Sequence, residues 1–236
     1  MLLLDNPVQT YSWGRCNGIA HAVGTDPSGG PEAELWVGTH PRGPSVVAEG
    51  PDAGRLLAEV IGSELPFLLK VLAIGEPLSL QAHPSAAQAE AGFAREEGEG
   101  LALDARDRTY RDASPKPEAL VALDDTYALC GFRPATDVAD LVERSGSVAL
   151  DGLGAAAAAG SLSDGLRWIL ELSGDERAWV ASAAVRASLG HGGSPSSPWY
   201  WVADLATHHP GDPSCLAPLL LEVVRLGHGE AVHLPA

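Results

Sequence analysis

Five residues in two short stretches have the types and spacing for metal chemistry. In "LSLQAHPSAAQAEAGF", residues 78–93, Ser79, Gln81 and His83 stand two apart; in "SPKPEALVAL", residues 114–123, Lys116 and Glu118 do the same. On a β-strand, alternate side chains share one face, so each set would present its polar groups together. A neutral imidazole and a carboxylate are good ligands for zinc or another divalent ion. Glutamine is an uncommon ligand, but two neutral ligands and one carboxylate would leave Zn²⁺ with net positive charge. Such an ion is suited to polarising an oxygen on an anionic molecule. Each fragment alone has a plainer reading: Gln-x-His as a hydrogen-bonded strand pair, Lys-Pro-Glu as a surface turn. Lys70 and Lys116 are the only lysines in a chain that otherwise uses arginine, which points towards a role needing a titratable amine.

The chain that must position these groups has 236 residues and 45% apolar content, enough for a sizeable core. Its net charge of −16 argues against a nucleic-acid or anionic-membrane partner, which would need a basic footprint. An anionic small molecule would require cations, or a metal, gathered in one pocket. Cys16, Cys130 and Cys215 are odd in number and far apart, which argues against a disulfide framework or a cysteine zinc site and suits a reducing cytoplasm. "MLLLDNPVQTYSWG" lacks a basic region followed by a long apolar run, so no signal peptide is predicted. The longest apolar stretch, "LPFLLKVLAIG", holds Lys70 and is too short to span a membrane.

Residues 1–134 are rich in turns and short strand-like runs. "AELWVGTHPRGPSVVAEG" predicts strand, turn, strand; "LPFLLKVLAIGEPLSLQAHP" predicts two strands around Gly75–Pro77. "PKPEALVALDDTYALCGF" predicts a further strand pair about Asp124–Asp125. Ser85 is placed to cap a helix from Ala86 to about Glu96, and the following "REEGEG" reads as a solvated helix end. Residues 137–190 show helical spacing, for example Leu166, Ile169 and Leu170. "WYWVADLATHHPGD" predicts another helix stopping at Pro210, and the tail returns to strands about Gly227–Gly229. The order β, then α, then β predicts a β-sandwich or barrel carrying a helical insertion.

The tail "GEAVHLP" places Gly229 and Pro235 as in the second motif of cupin barrels, G-x5-P-x-G-x2-H. With "YSWG", "AELWVGTHPRGPS", "LPFLLKVLAIGEPLSLQAHPS", "KPEALVAL", "LCGFRP" and "PGDPSCLAPLLLEVVRL" in order, the chain resembles the type I mannose-6-phosphate isomerases (phosphomannose isomerases). These are zinc enzymes of the cupin superfamily. The resemblance implies a mainly β fold with an α insertion: a cupin (jelly-roll) barrel, incomplete at the C-terminus, plus a helical domain. Its parts would be a first cupin half at 1–134, a helical insertion at 135–210, and the first strands of a second half at 211–236.

The resemblance further implies zinc-dependent aldose–ketose isomerisation of mannose 6-phosphate and fructose 6-phosphate through a cis-enediol. One Zn²⁺ per chain would be held by Gln81, His83 and Glu118, with Ser79 and Lys116 facing the sugar phosphate and Lys116 serving catalysis. The fourth ligand of the family lies in a His-Ala-Tyr segment expected beyond Ala236. "SPKPE" stands where the family has "NHKPE", so Pro115 takes the place of a histidine and the proton-transfer role falls towards Lys116 or a metal-bound water. The implied partners are a sugar phosphate but no nucleic acid and no membrane, with a monomeric chain. The alternative is a non-catalytic cupin-like fragment, or one half of a split isomerase, lacking the fourth ligand and an active-site arginine. His233, His208, His209, His21, His40, His191 and His228 fall outside the metal motifs.

Overall fold

In the computed structural model, which describes residues 1–235, the apolar runs around Glu34 and Lys70 pair as strands. Glu34–Val37 is the middle strand of an antiparallel sheet, flanked by Val8–Gln9 and Leu69–Leu72. Period-two alternation buries Glu34 and Trp36 on one face. A carboxylate taken out of water needs a partner. Trp36 donates its indole N–H to Glu34, and Lys70 Nζ lies 3.2 Å from the same carboxylate and 4.8 Å from the Trp36 ring centroid. Lys70 is thus the counter-ion of a buried acid.

Val46–Val47 also forms a strand, but it pairs with Leu4–Asp5 rather than with Glu34–Val37. The expected strands are present. Pro41 and Pro44 in the connection lack the N–H donors that a hairpin ladder would use. These elements belong to one compact unit, Met1–Leu80, and the rest of the chain to a second, Gln81–Ala236.

Residues 77–85 correct another expectation, because they form no strand. Pro77 and Pro84 remove ladder donors and restrict the residues before them. No ladder therefore enforces the alternation of Ser79, Gln81 and His83. The helix that follows, Ala86–Gly98, has the expected Ser85 cap in a reciprocal capping box. The Ser85 hydroxyl accepts from the Gln88 N–H at 3.4 Å while Gln88 Oε1 accepts from the Ser85 N–H at 2.9 Å.

Glu118–Val121 and Thr126–Phe132 are strands on either side of Asp124–Asp125, but they do not pair with each other. Each pairs antiparallel with a strand about a hundred residues later: Glu118–Val121 with Ala231–Leu234, and Thr126–Phe132 with Leu221–Leu226. The tight turn between the late strands is well specified. Gly229 sits at φ 81°, where an L side chain would be strained, and its N–H donates to the Ala122 carbonyl at 2.8 Å. Glu230 accepts from the Gly227 N–H at 2.7 Å. Among the described residues the strands form two- and three-stranded sheets.

The intervening residues are helical, and helix continues past position 210 to Leu220. Helix Pro198–His208 starts with proline at its first turn, where the missing N–H costs nothing, and ends before Pro210. Gly174–His191 carries Asp175 and Glu176 in its first turn, the favourable end for negative charge. It ends one residue beyond the stretch with helical spacing, at His191. Leu150, Leu153, Ile169, Val180, Trp199, Val202, Leu216, Leu219 and Leu220 bury their side chains together here. Burial of each such side chain contributes roughly 1.5–3 kcal/mol, and Leu221, the first residue of its strand, packs against this helical core. The three cysteines are free thiols, and burial, reinforced by Asp212, pushes the Cys215 thiol up to about 12. No helix among the described residues is long and apolar enough to cross a membrane.

Candidate metal centre

His83 leaves the unpaired stretch just before helix Ala86–Gly98, and Glu118 opens its strand opposite Leu234. Thirty-five positions apart in sequence, they meet: His83 Nε2 lies 3.4 Å from Glu118 Oε2. The imidazole is largely covered, with 17% of the side chain exposed, whereas the carboxylate is 54% exposed. Two ligands at roughly 2.0–2.2 Å from a tetrahedral ion lie about 3.4 Å apart. The pair therefore already has the separation that one shared ion requires. Its chemistry, imidazole nitrogen with carboxylate oxygen, fits zinc.

A cavity of about 520 Å³ adjoins this pair, lined in part by Gln81, His83, Gln88, Tyr110, Arg111 and Lys116. Its size is in the range that takes a small molecule. Gln81 thus stands in the same cavity as His83, although no strand aligns them. Lys116 is on the cavity wall but precedes the strand, so it and Glu118 are joined by the stiff Pro117 connection rather than by a shared strand face. Ser79 belongs to the Met1–Leu80 unit, near whose end it is exposed on unpaired chain. Among the described residues no cluster of three His, Cys, Asp or Glu side chains gathers; the Gln81 amide is among the donors that line the cavity with His83. No other histidine is among its lining residues. His233 is exposed on its strand, His208 and His209 end a helix, and His40 packs edge-on against Trp36.

The expectation for "REEGEG" fails at its first acid. Glu96 is buried, on the helix face it shares with Ala89 and Gly92. It accepts from the Tyr110 N–H at 2.8 Å and the Thr109 N–H at 3.2 Å, and Arg108 Nε lies 3.8 Å away. Arg108, equally buried, donates to the carbonyls of Tyr110 and Leu101 and pairs with Glu97 at 2.6 Å. A Cβ on Gly92 would come within 2.4 Å of the Tyr110 ring, so the bare glycine admits that ring. These contacts clamp residues 108–110 to the helix, immediately before Arg111. The clamp was legible only as a weak signal: small residues Ala89 and Gly92 on the same helical face as an acid.

Burial opposes ionisation of Glu96, but the Tyr110 and Thr109 N–H groups and the Arg108 charge outweigh it. Together they hold the carboxyl below its ordinary range. A carboxylate whose folded pKa lies below its unfolded value of about 4.3 stabilises the fold above that value. The contribution is lost as pH falls through the lower, folded value. The amide NMR signals of Thr109 and Tyr110 are accordingly expected to shift together at a pH below the ordinary glutamate range, and Glu96→Gln to abolish that step. A step centred above that range would contradict the assignment.

An imidazole and a carboxylate 3.4 Å apart, with an amide and an amine in the adjoining cavity, have the chemistry that a metal enzyme would use. The comparisons with known proteins specify it further. Residues 1–135 match the family model for the catalytic domain of type I phosphomannose isomerase. Mannose-6-phosphate isomerase of Escherichia coli (strain K12) is 33% identical over 252 residues, which cover 99% of this chain and 64% of that protein. The Homo sapiens protein of that name is 34% identical over 165 residues, 60% of this chain and 37% of its own. The crystal structure of the Salmonella typhimurium enzyme, bound to substrate (f6p) and zinc, matches with TM-score 0.88 and 30% identity. That match covers 99% of this chain and 63% of the other. The chain belongs to the type I phosphomannose isomerase family. It spans 64% of the length of the bacterial relative.

Proposed function

We propose that the chain carries a zinc-dependent aldose–ketose isomerase site that interconverts mannose 6-phosphate and fructose 6-phosphate. The observation that carries this is the His83–Glu118 pair, at the spacing of two ligands on one ion, beside Gln81 and Lys116. Family membership supports the reaction class. Gln81, His83 and Glu118 would hold one zinc per chain, and zinc, when bound, supplies Lewis acidity towards an oxygen of the sugar. The reaction takes a proton from C2 of the open-chain aldose while O1 gains one, giving a cis-enediol. Return of a proton at C1, with loss of the O2 proton, completes the ketose. Lys116 serves that transfer, as the base or as the cation facing the developing oxyanion. Ser79 is assigned to the substrate. Pro115 offers no imidazole, which leaves Lys116 as the amine beside the ligand set.

The small sheets are read as parts of a cupin-type barrel, supported by likeness to a phosphomannose isomerase over 99% of the chain. The division into 1–134, 135–210 and 211–236 is supported by strands 118–132 pairing with 221–234 across the helical residues. The working state is proposed as a cytoplasmic monomer. The test is direct: the zinc-loaded chain is expected to convert mannose 6-phosphate into fructose 6-phosphate, followed by coupled assay. Zinc retention without turnover would reject catalysis by this chain and favour a non-catalytic cupin-like role.

A further inference from the structure

We propose that Arg111 recognises the phosphate end of the sugar phosphate, and that Glu96 positions it. The inference rests on the isomerase function proposed above and adds a residue to it. A chain of net charge −16 repels a phosphate unless cations face it at close quarters. Two cations, Arg111 and Lys116, line the cavity beside His83. Neither is held by an ion pair or side-chain hydrogen bond to a described residue. Lys116 is two positions from Glu118 and is committed to the metal end, where the chemistry occurs. Arg111, on the same wall, carries the planar fork that matches phosphate oxygens in pairs. The remaining charged wall residue, Asp112, turns one oxygen to its own backbone, accepting from the Ser114 N–H at 2.9 Å.

The clamp explains why an exposed arginine is worth more than a floating charge. An unanchored loop would lose conformational freedom on binding, and that entropy subtracts from affinity. Glu96 and Arg108 fix the backbone of Thr109 and Tyr110 from a buried position, and Tyr110 packs over Gly92. The backbone that carries Arg111 to the cavity is therefore ordered before the ligand arrives. Arg108, with its donors spent on Tyr110, Leu101 and Glu97, is occupied by the clamp itself.

The test is calorimetric titration of the zinc-loaded full chain with mannose 6-phosphate, with bound zinc and thermal midpoint measured in parallel. Arg111→Gln is expected to weaken binding about 10- to 100-fold, with zinc content and midpoint unchanged. Arg111→Lys should recover part of the loss, since it keeps the charge but not the fork. Glu96→Gln should weaken binding several-fold on its own, yet add nothing in the Arg111→Gln background, because it acts only through Arg111. A merely structural role for Glu96 would reduce binding equally in both backgrounds and overturn the positioning assignment. Wild-type affinity in Arg111→Gln overturns the arginine's role and leaves the isomerase function standing. Failure of the wild-type chain to bind mannose 6-phosphate overturns both.

Discussion

Replacement of His83 by alanine is expected to strip the chain of zinc. Its imidazole is the better covered of the two donors that meet at 3.4 Å, and its loss leaves Glu118, more than half exposed, facing water. Removing even an outer partner of a metal ligand costs roughly 10–100-fold in affinity, so deleting a direct ligand should cost more. Zinc per chain after dialysis against a weak chelator measures this: near one for the parent and near zero for His83→Ala. Glu118→Gln, which keeps the shape and removes the charge, should also weaken binding because the carboxylate supplies the set's only anion. Retention of full zinc by both variants would show that the pair is an ordinary imidazole–carboxylate contact.

The second large effect is expected at Lys116. Lys116→Met should keep zinc, since none of the proposed donors is altered, while kcat falls about 10²–10⁴-fold, the usual worth of a positioned proton-transfer group. Lys116→Arg retains the cation and should restore part of the rate if charge towards the oxyanion is what the residue contributes. A methionine variant with unchanged zinc, substrate affinity and turnover would remove Lys116 from the mechanism. The two experiments are separable: the first reads metal, the second reads chemistry with metal in place.

The contrast between Ser85 and Glu96 shows where local sequence carries information and where it does not. Both lie at polar positions of the same short helix. Ser85 acts on the backbone three residues away, so the capping box is written within Ser85–Gln88 and was readable there. Glu96 acts on Thr109 and Tyr110, thirteen and fourteen positions on, and its neighbours Glu97 and Glu99 suggest a solvated terminus. Only packing against the returning chain turned that acid inward. The strands teach the same lesson. Glu118–Val121 and Thr126–Phe132 were visible as strands from their composition, and the two aspartates between them suggested a hairpin. Their actual partners lie beyond a helical block, far outside any local window.

By itself, then, the sequence determined the residue types of the candidate site, the order of β, α and β segments, the Ser85 cap and the resemblance to a family that the comparisons bear out. These are properties of short windows, governed by backbone preference and side-chain period. The tertiary structure alone decided that His83, on chain with no ladder to align it, meets Glu118 at ligand spacing. It also decided that Arg111 is carried to the same cavity on a clamped loop. Those facts depend on contacts between distant segments, whose free energy comes from burial and pairing that no local pattern encodes.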